Sequence, residues 1–204
     1  MSRVAIVNTG LCNLDSIARA VEECDSAPVV TDDPADLAAA THIILPGVGS
    51  FPAAMARLTE RGLVDAMTEQ VVEGGIPFLG ICLGMQLLGT RGSEIRPTPG
   101  LGWVDGEVEL ISPAPGERVP HVGWNEVAPV DGSPLFRGIP PERDFYFVHS
   151  YVLRPTSETD VAARTPYGGG FVSSVQRGLI FGVQFHPEKS QRAGFDVLQN
   201  FLSL

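Results

Sequence analysis

The first half of the chain alternates short apolar runs with segments of helical periodicity. The apolar runs cover residues 4–7, 29–30, 43–45 and 78–79. Short runs that are apolar throughout are typical of strands buried on both faces of a parallel sheet. Between the runs, apolar residues recur at helical spacing, at Leu14, Ile17, Ala18 and Val21 and again at Leu63, Met67 and Val71. This alternation predicts an α/β fold in which helices cover both faces of a mostly parallel sheet.

The second half, from residue 103 to 183, has a different pattern. Short β-like runs separated by Gly and Pro cover residues 106–110, 124–127, 145–148, 151–153, 161–164 and 171–175. They predict hairpins and mixed strands. The Tyr-Gly-Gly-Gly run at 167–170 predicts a hairpin turn, because no Lys or Ser/Thr follows in the register of a phosphate-binding loop. A last helix is predicted to begin near Ser190, and residues 1–204 are predicted to form one domain.

The segment Gly-Ile-Cys-Leu-Gly at 80–84 directly follows the apolar run at 78–79. A nucleophile between two glycines after a strand is typical of a nucleophile elbow, where the strand turns sharply into a helix. Such a turn would present Cys82 at the carboxyl edge of the sheet, where peptide N–H groups favour the thiolate. A small buried hydrophobic cysteine is the alternative that the elbow alone leaves open.

The segment Phe-His-Pro-Glu at 185–188 follows another apolar run, at 179–183. If it stays extended, His186 and Glu188 point the same way, and Pro187 restricts His186 to extended conformations. A carboxylate beside an imidazole fixes its tautomer and stabilises the imidazolium. Together with Cys82 these residues predict a nucleophile, a base and an orienting acid. Without the elbow, a histidine that simply hydrogen-bonds at a strand end is the alternative.

A third segment, Leu-Pro-Gly-Val-Gly-Ser-Phe at 45–51, also follows a predicted strand. Glycines in such a turn allow a peptide N–H to point at the negative charge that develops on a carbonyl under attack. The turn is not a dinucleotide fingerprint, because Pro52 stands where the last glycine should be. We interpret Gly47, Val48 and Gly49 as an oxyanion loop, with an ordinary strand-to-helix turn as the alternative.

These three segments, in this order, resemble the triad-type (class I) glutamine amidotransferases over nearly the whole chain. The resemblance implies a three-layer α/β sandwich with a small antiparallel or mixed β region added in the second half, and no cofactor. It implies that Cys82 attacks glutamine, that His186 is the general base and acid, and that Glu188 orients it. It also implies that Gln86 contacts the amino-acid end of the substrate. A solvent-facing helix position is the alternative for Gln86.

Four segments resemble a narrower group, the glutaminase subunits of imidazole glycerol phosphate synthases. They are Pro-Gly-Val-Gly-Ser-Phe at 46–51, Pro-His-Val-Gly-Trp-Asn at 120–125, Tyr-Phe-Val-His-Ser-Tyr at 146–151 and His-Pro-Glu-Lys-Ser at 186–190. In that group, ammonia passes within a heterodimer to a (β/α)8 cyclase subunit, which makes imidazole glycerol phosphate and AICAR in histidine biosynthesis. The chain departs from the group at Cys12, where a glycine is usual, and at Gly89, which predicts an early end to the helix after the elbow.

The same resemblance implies two further sets of residues. The residues expected to contact the cyclase subunit include Asn13, Trp124, Asn125, Tyr146 and Lys189. The candidates for the glutamine pocket, besides Gln86, are His149, Ser150 and Tyr151. Core packing is the alternative for Trp124, and ordinary strand positions are the alternative for residues 149–151.

Composition agrees with this interpretation. The chain has 204 residues, a formal net charge of -10 and 44% hydrophobic residues. The negative charge argues against nucleic acid or an anionic membrane as a partner. Three cysteines give no disulfide framework and no C-x-x-C metal spacing, so a cytoplasmic location is predicted. The alternatives are an amidotransferase that serves another acceptor, a stand-alone γ-glutamyl hydrolase, and a non-catalytic interaction module on the same fold.

Overall fold

The computed structural model describes residues 2–10, 14–141 and 143–204. The strands are β1 Arg3–Val7, β2 Ala27–Thr31, β3 His42–Gly47, β4 Phe78–Cys82, β5 Arg91–Gly92, β6 Thr98–Pro99, β7 Gly106–Leu110, β8 His121–Pro129, β9 Arg143–His149, β10 Tyr151–Pro155, β11 Val161–Thr165, β12 Phe171–Arg177 and β13 Ile180–Val183. The helices are α1 Asp15–Glu23, α2 Pro34–Leu37, α3 Phe51–Glu60, α4 Leu63–Thr68, α5 Leu83–Gln86 and α6 Gln191–Leu202.

A nine-stranded sheet forms the centre of the fold, in the order β2-β1-β3-β4-β13-β12-β11-β8-β9. The strands from β2 to β13 in this order pair in parallel. From β13 onward, each neighbouring pair is antiparallel. The predicted parallel region of the first half is therefore confirmed. The hairpin strands of the second half extend the same sheet, because β13 returns from them to pair with β4.

A second, mixed sheet of four short strands has the order β10-β7-β5-β6. The pair β5/β7 is parallel, and the other two pairs are antiparallel. This is the small mixed β region that the family resemblance implies, although its strands β5 and β6 lie before the second half of the chain. Its strand β10 begins two residues after β9 ends, so one short turn joins the edge of the central sheet to the second sheet.

Two hydrophobic clusters cover opposite faces of the central sheet. In β1, Val4 and Ile6 belong to the first cluster, with residues of α1 and α6, whereas Ala5 and Val7 belong to the second, with residues of α3 and α4. Successive side chains of a strand point to opposite faces, so one buried strand contributes to both clusters. This explains why the apolar runs of the first half are continuous.

Three local details refine the predicted elements. Helix α4 begins at Leu63, and a π-helical turn, Glu69–Glu73, follows it directly. Helix α5 ends at Gln86, as the glycine at position 89 predicts. The tri-glycine run 168–170 forms the turn between the antiparallel strands β11 and β12, so the hairpin prediction is confirmed. Among the described residues, no helix is long and apolar enough to cross a membrane.

Candidate active site

The three predicted segments meet at the carboxyl edge of the parallel strands. Gly47 of β3 lies opposite Cys82 of β4, and Ile81 of β4 lies opposite Val183 of β13. His186 follows three residues after Val183. Parallel strands bring their carboxyl ends to one edge of a sheet, which is where ligands bind in open α/β folds.

Cys82 occupies a strained turn between β4 and α5. Its backbone has φ 55° and ψ −109°, a conformation that residues with a side chain rarely adopt. The flanking glycines make room for the turn. A Cβ on Gly80 would lie 2.5 Å from the carbonyl oxygen of Gly84, and a Cβ on Gly84 would collide with the carbonyl oxygen of Leu45. This is the geometry of a nucleophile elbow.

The sulfur of Cys82 contacts two groups, one on β9 and one in the segment that follows β13. The thiol Sγ donates to the carbonyl oxygen of Val148 at 3.8 Å. It accepts a hydrogen bond from Nε2 of Gln184 at 3.6 Å. The residue is 6% exposed, so the sulfur lies at the inner end of the site and not on the surface.

His186 and Glu188 form a buried pair, in which the imidazole Nδ1 lies 2.9 Å from the carboxylate Oε1. Their side chains are 5% and 6% exposed. The chain is extended at His186 but then turns into a 3-10 helix, Pro187–Lys189, so the predicted extended segment is wrong beyond His186. The turn itself brings the carboxylate back under the ring. Ser190 Oγ donates to the His186 carbonyl at 2.6 Å and accepts from Tyr146 N at 3.0 Å, which ties the turn to β9.

The environment of His186 favours its charged form. Burial alone lowers the pKa of the ring and is the largest single effect, but the interactions with Cys82 and Glu188 together outweigh it and raise the pKa to about 9. The Cys82 sulfur is thus near enough to interact with the ring. Within the described chain, however, Nε2 of His186 makes no hydrogen bond of good geometry, since the thiol is directed at Val148. To close the triad, the thiol has to turn from the Val148 carbonyl toward His186.

A cavity of about 280 Å³ opens beside the sulfur. It is lined by Val48, Gly49, Cys82, Leu83, Gln86, Glu94, Val148, His149, Ser150 and Tyr151. A second cavity, of about 190 Å³, is lined by Gly47, Val48, His186, Glu188 and Lys189 among others. Val48 borders both, so the loop 47–49 lies between the two cavities. A larger cavity, of about 630 Å³, is formed by residues between Pro129 and Pro141 and lies apart from these side chains.

Gln86 lies inside the protein, so the solvent-facing alternative for this residue is wrong. It is 5% exposed. Its Nε2 donates to the carbonyl oxygen of Tyr151 at 2.9 Å and to Oε1 of Gln184 at 3.0 Å. Both hydrogens of the amide are therefore committed to the protein. Only the carbonyl oxygen of the Gln86 side chain remains to meet a ligand in the cavity.

Two further histidines, His121 and His149, form a pair behind the cavity. Nδ1 of His121 is 2.9 Å from Nε2 of His149, and Nδ1 of His149 is 3.0 Å from the carbonyl oxygen of Tyr151. Burial lowers the pKa of both rings, that of His149 to about 3, and the proximity of the other histidines adds to the shift at His149. Both rings are neutral at pH 7.

An exposed face adjoins the site on β8 and β9. Trp124 is 47% exposed, so the core alternative for it is wrong. Its ring meets Tyr146 edge-on at 5.9 Å, and Nζ of Lys189 lies 5.9 Å from the centre of the Tyr146 ring. Asn125 points to the other side of β8, where its Nδ2 lies 3.4 Å from Nε2 of His121. Asn13 and Cys12 lie outside the described residues.

Sequence reasoning does not select Gln184, His121 or Ser190, which all contact the site. Gln184 and His186 are two apart, and this period places both on one face of an extended segment. That spacing is the signal that could have identified Gln184. In the parts of the chain that the structure describes, there is no group of His, Cys, Asp and Glu that could hold a metal ion.

The fold and the site together define a class of protein. The family described as "Glutamine amidotransferase class-I" matches residues 5–203. The chain belongs to this family. Solved structures of the class share the fold at low sequence identity. One described as a glutamine amidotransferase matches with a TM-score of 0.78 at 19% identity, covering 98% of this chain and 99% of that one. PurLQS from Thermotoga maritima matches with a TM-score of 0.72 at 21% identity, covering 100% and 99%.

Curated relatives identify the branch of the family. The HisH subunit of imidazole glycerol phosphate synthase from Moorella thermoacetica is 50% identical over 201 residues, which are 98% of this chain and 94% of the relative. HisH 1 of Campylobacter jejuni strain RM1221 is 43% identical, over 98% of this chain and 100% of the relative. Within the family, this chain belongs with the HisH glutaminase subunits of imidazole glycerol phosphate synthase.

Proposed function

We propose that this glutaminase subunit hydrolyses glutamine through a thioester on Cys82, with His186 as general base and acid and Glu188 as its orienting partner. The observation that carries the proposal is the position of Cys82. It occupies a strained strand-to-helix turn, opens into a cavity of about 280 Å³, and lies close enough to the His186 ring to help raise its pKa to about 9. The cavity is near the lower limit of about 300 Å³ for ligand pockets, which suits one amino acid.

The reaction has two steps in this proposal. The Cys82 thiolate attacks the side-chain amide carbon of glutamine, the C–N bond breaks, and the nitrogen takes a proton from His186 as ammonia leaves. Water then loses a proton to the same ring and attacks the thioester, the C–S bond breaks, and its electron pair returns to sulfur as glutamate departs. Glu188 holds Nδ1 of the ring at 2.9 Å and stabilises its positive charge.

Peptide N–H groups of the loop at Gly47, Val48 and Gly49 would bind the oxyanion. The loop borders the cavity on the side of the His186 pair, and Gly49 has φ 95°, which favours glycine and permits the peptide to turn toward the site. In measured cases, one such donor lowers the activation free energy by about 2.7 to 4 kcal/mol. Gln86, with its remaining carbonyl oxygen, and residues 149–151 would bind the amino-acid end of glutamine.

The ammonia would pass to a (β/α)8 cyclase subunit in a heterodimer, because free ammonia is protonated in bulk water. The exposed face around Trp124, Tyr146 and Lys189 supports this partner surface. Strand β9, which carries Tyr146, also carries the Val148 carbonyl that accepts from Cys82. Asn13 and Asn125 stay proposed contacts from the family resemblance, although Asn125 points to the other side of β8 from Trp124. We also propose the cytoplasmic location that the cysteine usage of the sequence predicts.

Replacement of the nucleophile tests the chemistry. Cys82→Ala should abolish glutamine hydrolysis and leave binding of the cyclase subunit near that of the wild type. A glutamine-analogue electrophile should label Cys82 and spare Cys12 and Cys24. Cys24→Ala is the matched control, because this half-buried thiol lies away from the site and should leave turnover unchanged. Full activity of Cys82→Ala, or labelling of Cys12 in place of Cys82, would refute the assignment.

Activity with and without the partner tests the subunit function. We expect slow glutaminase activity from the chain alone, and a rise when the cyclase nucleotide is added together with the cyclase subunit. Trp124→Ala should weaken binding of the cyclase subunit by about tenfold or more, because exposed aromatic anchors dominate interface energies, and it should leave the slow activity of the free chain unchanged. Rapid turnover of glutamyl substrates by the chain alone would instead indicate a stand-alone hydrolase.

A further inference from the structure

Gln184 is a wholly buried amide that touches the nucleophile, and it is not part of the triad. Its side chain is 0% exposed. Its backbone N–H donates to the Ser173 carbonyl at 2.9 Å, which fixes it beside β12. From there its Nε2 reaches the Cys82 sulfur at 3.6 Å. In a buried site, an amide that costs free energy to desolvate is expected to have its donors satisfied, and here one of them is satisfied by the sulfur.

The direction of this hydrogen bond is fixed by its neighbours. Gln86 donates to Oε1 of Gln184 at 3.0 Å, so Oε1 is the acceptor and Nε2 faces the sulfur. Gln86 is oriented in turn by the Tyr151 carbonyl, which also accepts from Nδ1 of His149. Since Nδ1 of His149 is a donor and the ring is neutral, its Nε2 accepts from His121. The orientations of the two amides and the two rings are therefore mutually consistent, and the Gln184 amide ends on the sulfur.

We propose that Gln184 is a further catalytic residue, which donates a hydrogen bond to the Cys82 thiolate. The inference rests on the proposed function, in which Cys82 is the nucleophile. Hydrogen bonds to a charged acceptor are roughly twice as strong as those between neutral groups, and low local polarity strengthens them. The amide thus stabilises the sulfur after its proton has moved to His186, and again when the C–S bond of the thioester breaks and the electron pair returns to sulfur.

Gln86, His149 and His121 are positioning residues in this proposal. They touch the reacting sulfur only through Gln184, and they hold its amide in the donating orientation. Gln86 thereby gains a role beside substrate binding, because its two N–H groups connect the Gln184 amide to the Tyr151 carbonyl at the wall of the cavity.

Two substitutions test the donor. Gln184→Met has a similar length and no N–H, whereas Gln184→Glu keeps the acceptor for Gln86 and replaces the donor by a carboxylate. The readout is the rate at which iodoacetamide alkylates Cys82 in the folded free subunit, followed on the Cys82 peptide by mass spectrometry from pH 5 to pH 10. In both variants we expect Cys82 to be alkylated about tenfold more slowly near neutral pH, and the pH profile of the alkylation rate to move to higher pH. The kcat of the complex should fall by a similar factor. Gln176→Met, on strand β12, is the matched control, since Gln176 contacts Ser133 and not the site.

Wild-type alkylation rates and an unshifted pH profile in folded Gln184→Met would overturn the proposal. If Gln184→Met does not fold, Gln184→Glu decides by the same criterion. A merely structural role predicts a lower unfolding temperature with an unchanged alkylation profile, and this result also contradicts the proposal. Failure of the proposed function is seen separately, because it requires Cys82→Ala to remain active. Gln184 can therefore fail as a donor while the Cys82 assignment stands.

Discussion

Two buried histidines, His186 and His149, lie near Cys82, and their pKa values are shifted in opposite directions. His186 is 4% exposed and His149 is 6% exposed. Each has a hydrogen bond at Nδ1, His186 with the Glu188 carboxylate at 2.9 Å and His149 with the Tyr151 carbonyl at 3.0 Å. Nevertheless, the pKa of His186 is raised to about 9 and that of His149 is lowered to about 3.

The difference comes from the partners and not from the depth of burial. In both rings burial is the largest effect and lowers the pKa. At His186 a carboxylate and a sulfur reverse it, whereas at His149 a neutral carbonyl compensates little and a second imidazole adds to it. The first site is built to carry a charge and move a proton. The second is built to stay neutral and keep one tautomer, which suits a fixed wall behind a pocket.

Removal of the Glu188 charge should reduce the difference between the pKa values of His186 and His149 more than any other change. In Glu188→Gln the raised pKa of His186 should fall, because the carboxylate no longer stabilises the imidazolium. We expect kcat for glutamine to drop by about ten-thousandfold, as in other triads that lose the orienting carboxylate. The measurement is steady-state turnover of the complex. Glu60→Gln, at the exposed end of α3, is the control and should match the wild type. A loss below tenfold would mean that Glu188 does not orient the base.

Acid should destabilise the protein through His149. Its pKa is lower in the folded chain, about 3, than the usual 6.5, so the unfolded state binds the extra proton between these values. The free energy of unfolding should therefore decrease as pH falls from 6.5 to 3, by roughly 4 to 5 kcal/mol at most from this ring. Urea unfolding of the wild type and of His149→Gln isolates the effect, because carboxylates titrate in both. If the free energy of unfolding depended on pH in the same way in both proteins, the lowered pKa of His149 would be contradicted.

High pH should destabilise the protein through His186, whose pKa is shifted in the direction opposite to that of His149. Its folded pKa, about 9, lies above the usual 6.5, so its contribution is complete below pH 6.5 and is lost as pH rises through 9. The free energy of unfolding should decrease by roughly 3 kcal/mol across this window, relative to His186→Gln. Burial also raises the pKa of the Cys24 thiol, which would contribute at the alkaline end, so both proteins are compared in a Cys24→Ala background. If the wild type instead gained stability over His186→Gln as the pH rises, the assignment of His186 as an imidazolium would be contradicted.

The two histidine sites also differ in how far the sequence predicts them. Cys82, His186 and Glu188 are flanked by glycines and proline, whose backbone limits are local, and they follow strands whose continuous apolar pattern is strong. The central parallel strands are predicted for the same reason. The triad positions can therefore be recognised in short segments of the chain.

The second site depends on register between distant segments. His121 and His149 are 28 positions apart, and Gln184 and Cys82 are 102 positions apart. Nothing local in the chain states that β8 pairs with β9 at these two histidines, or that β13 lies beside β4. A one-residue slip would turn each side chain to the other face of the sheet. The 3-10 turn after His186 escapes prediction for a similar reason, because the Ser190 side chain that supports it is held by the backbone of β9.

The outer end of the neutral site should be the least sensitive point of the comparison. Asn125 donates to Nε2 of His121 over 3.4 Å, near the limit for a hydrogen bond, and is half-buried. Asn125→Ala should change the free energy of unfolding by less than about 1 kcal/mol. The tautomers of His121 and His149 should persist, because the Tyr151 carbonyl fixes them from the other end of the pair. Nitrogen chemical shifts of the two rings in the free subunit measure this directly. A tautomer change in His149 would show that Asn125, rather than Tyr151, orients the pair.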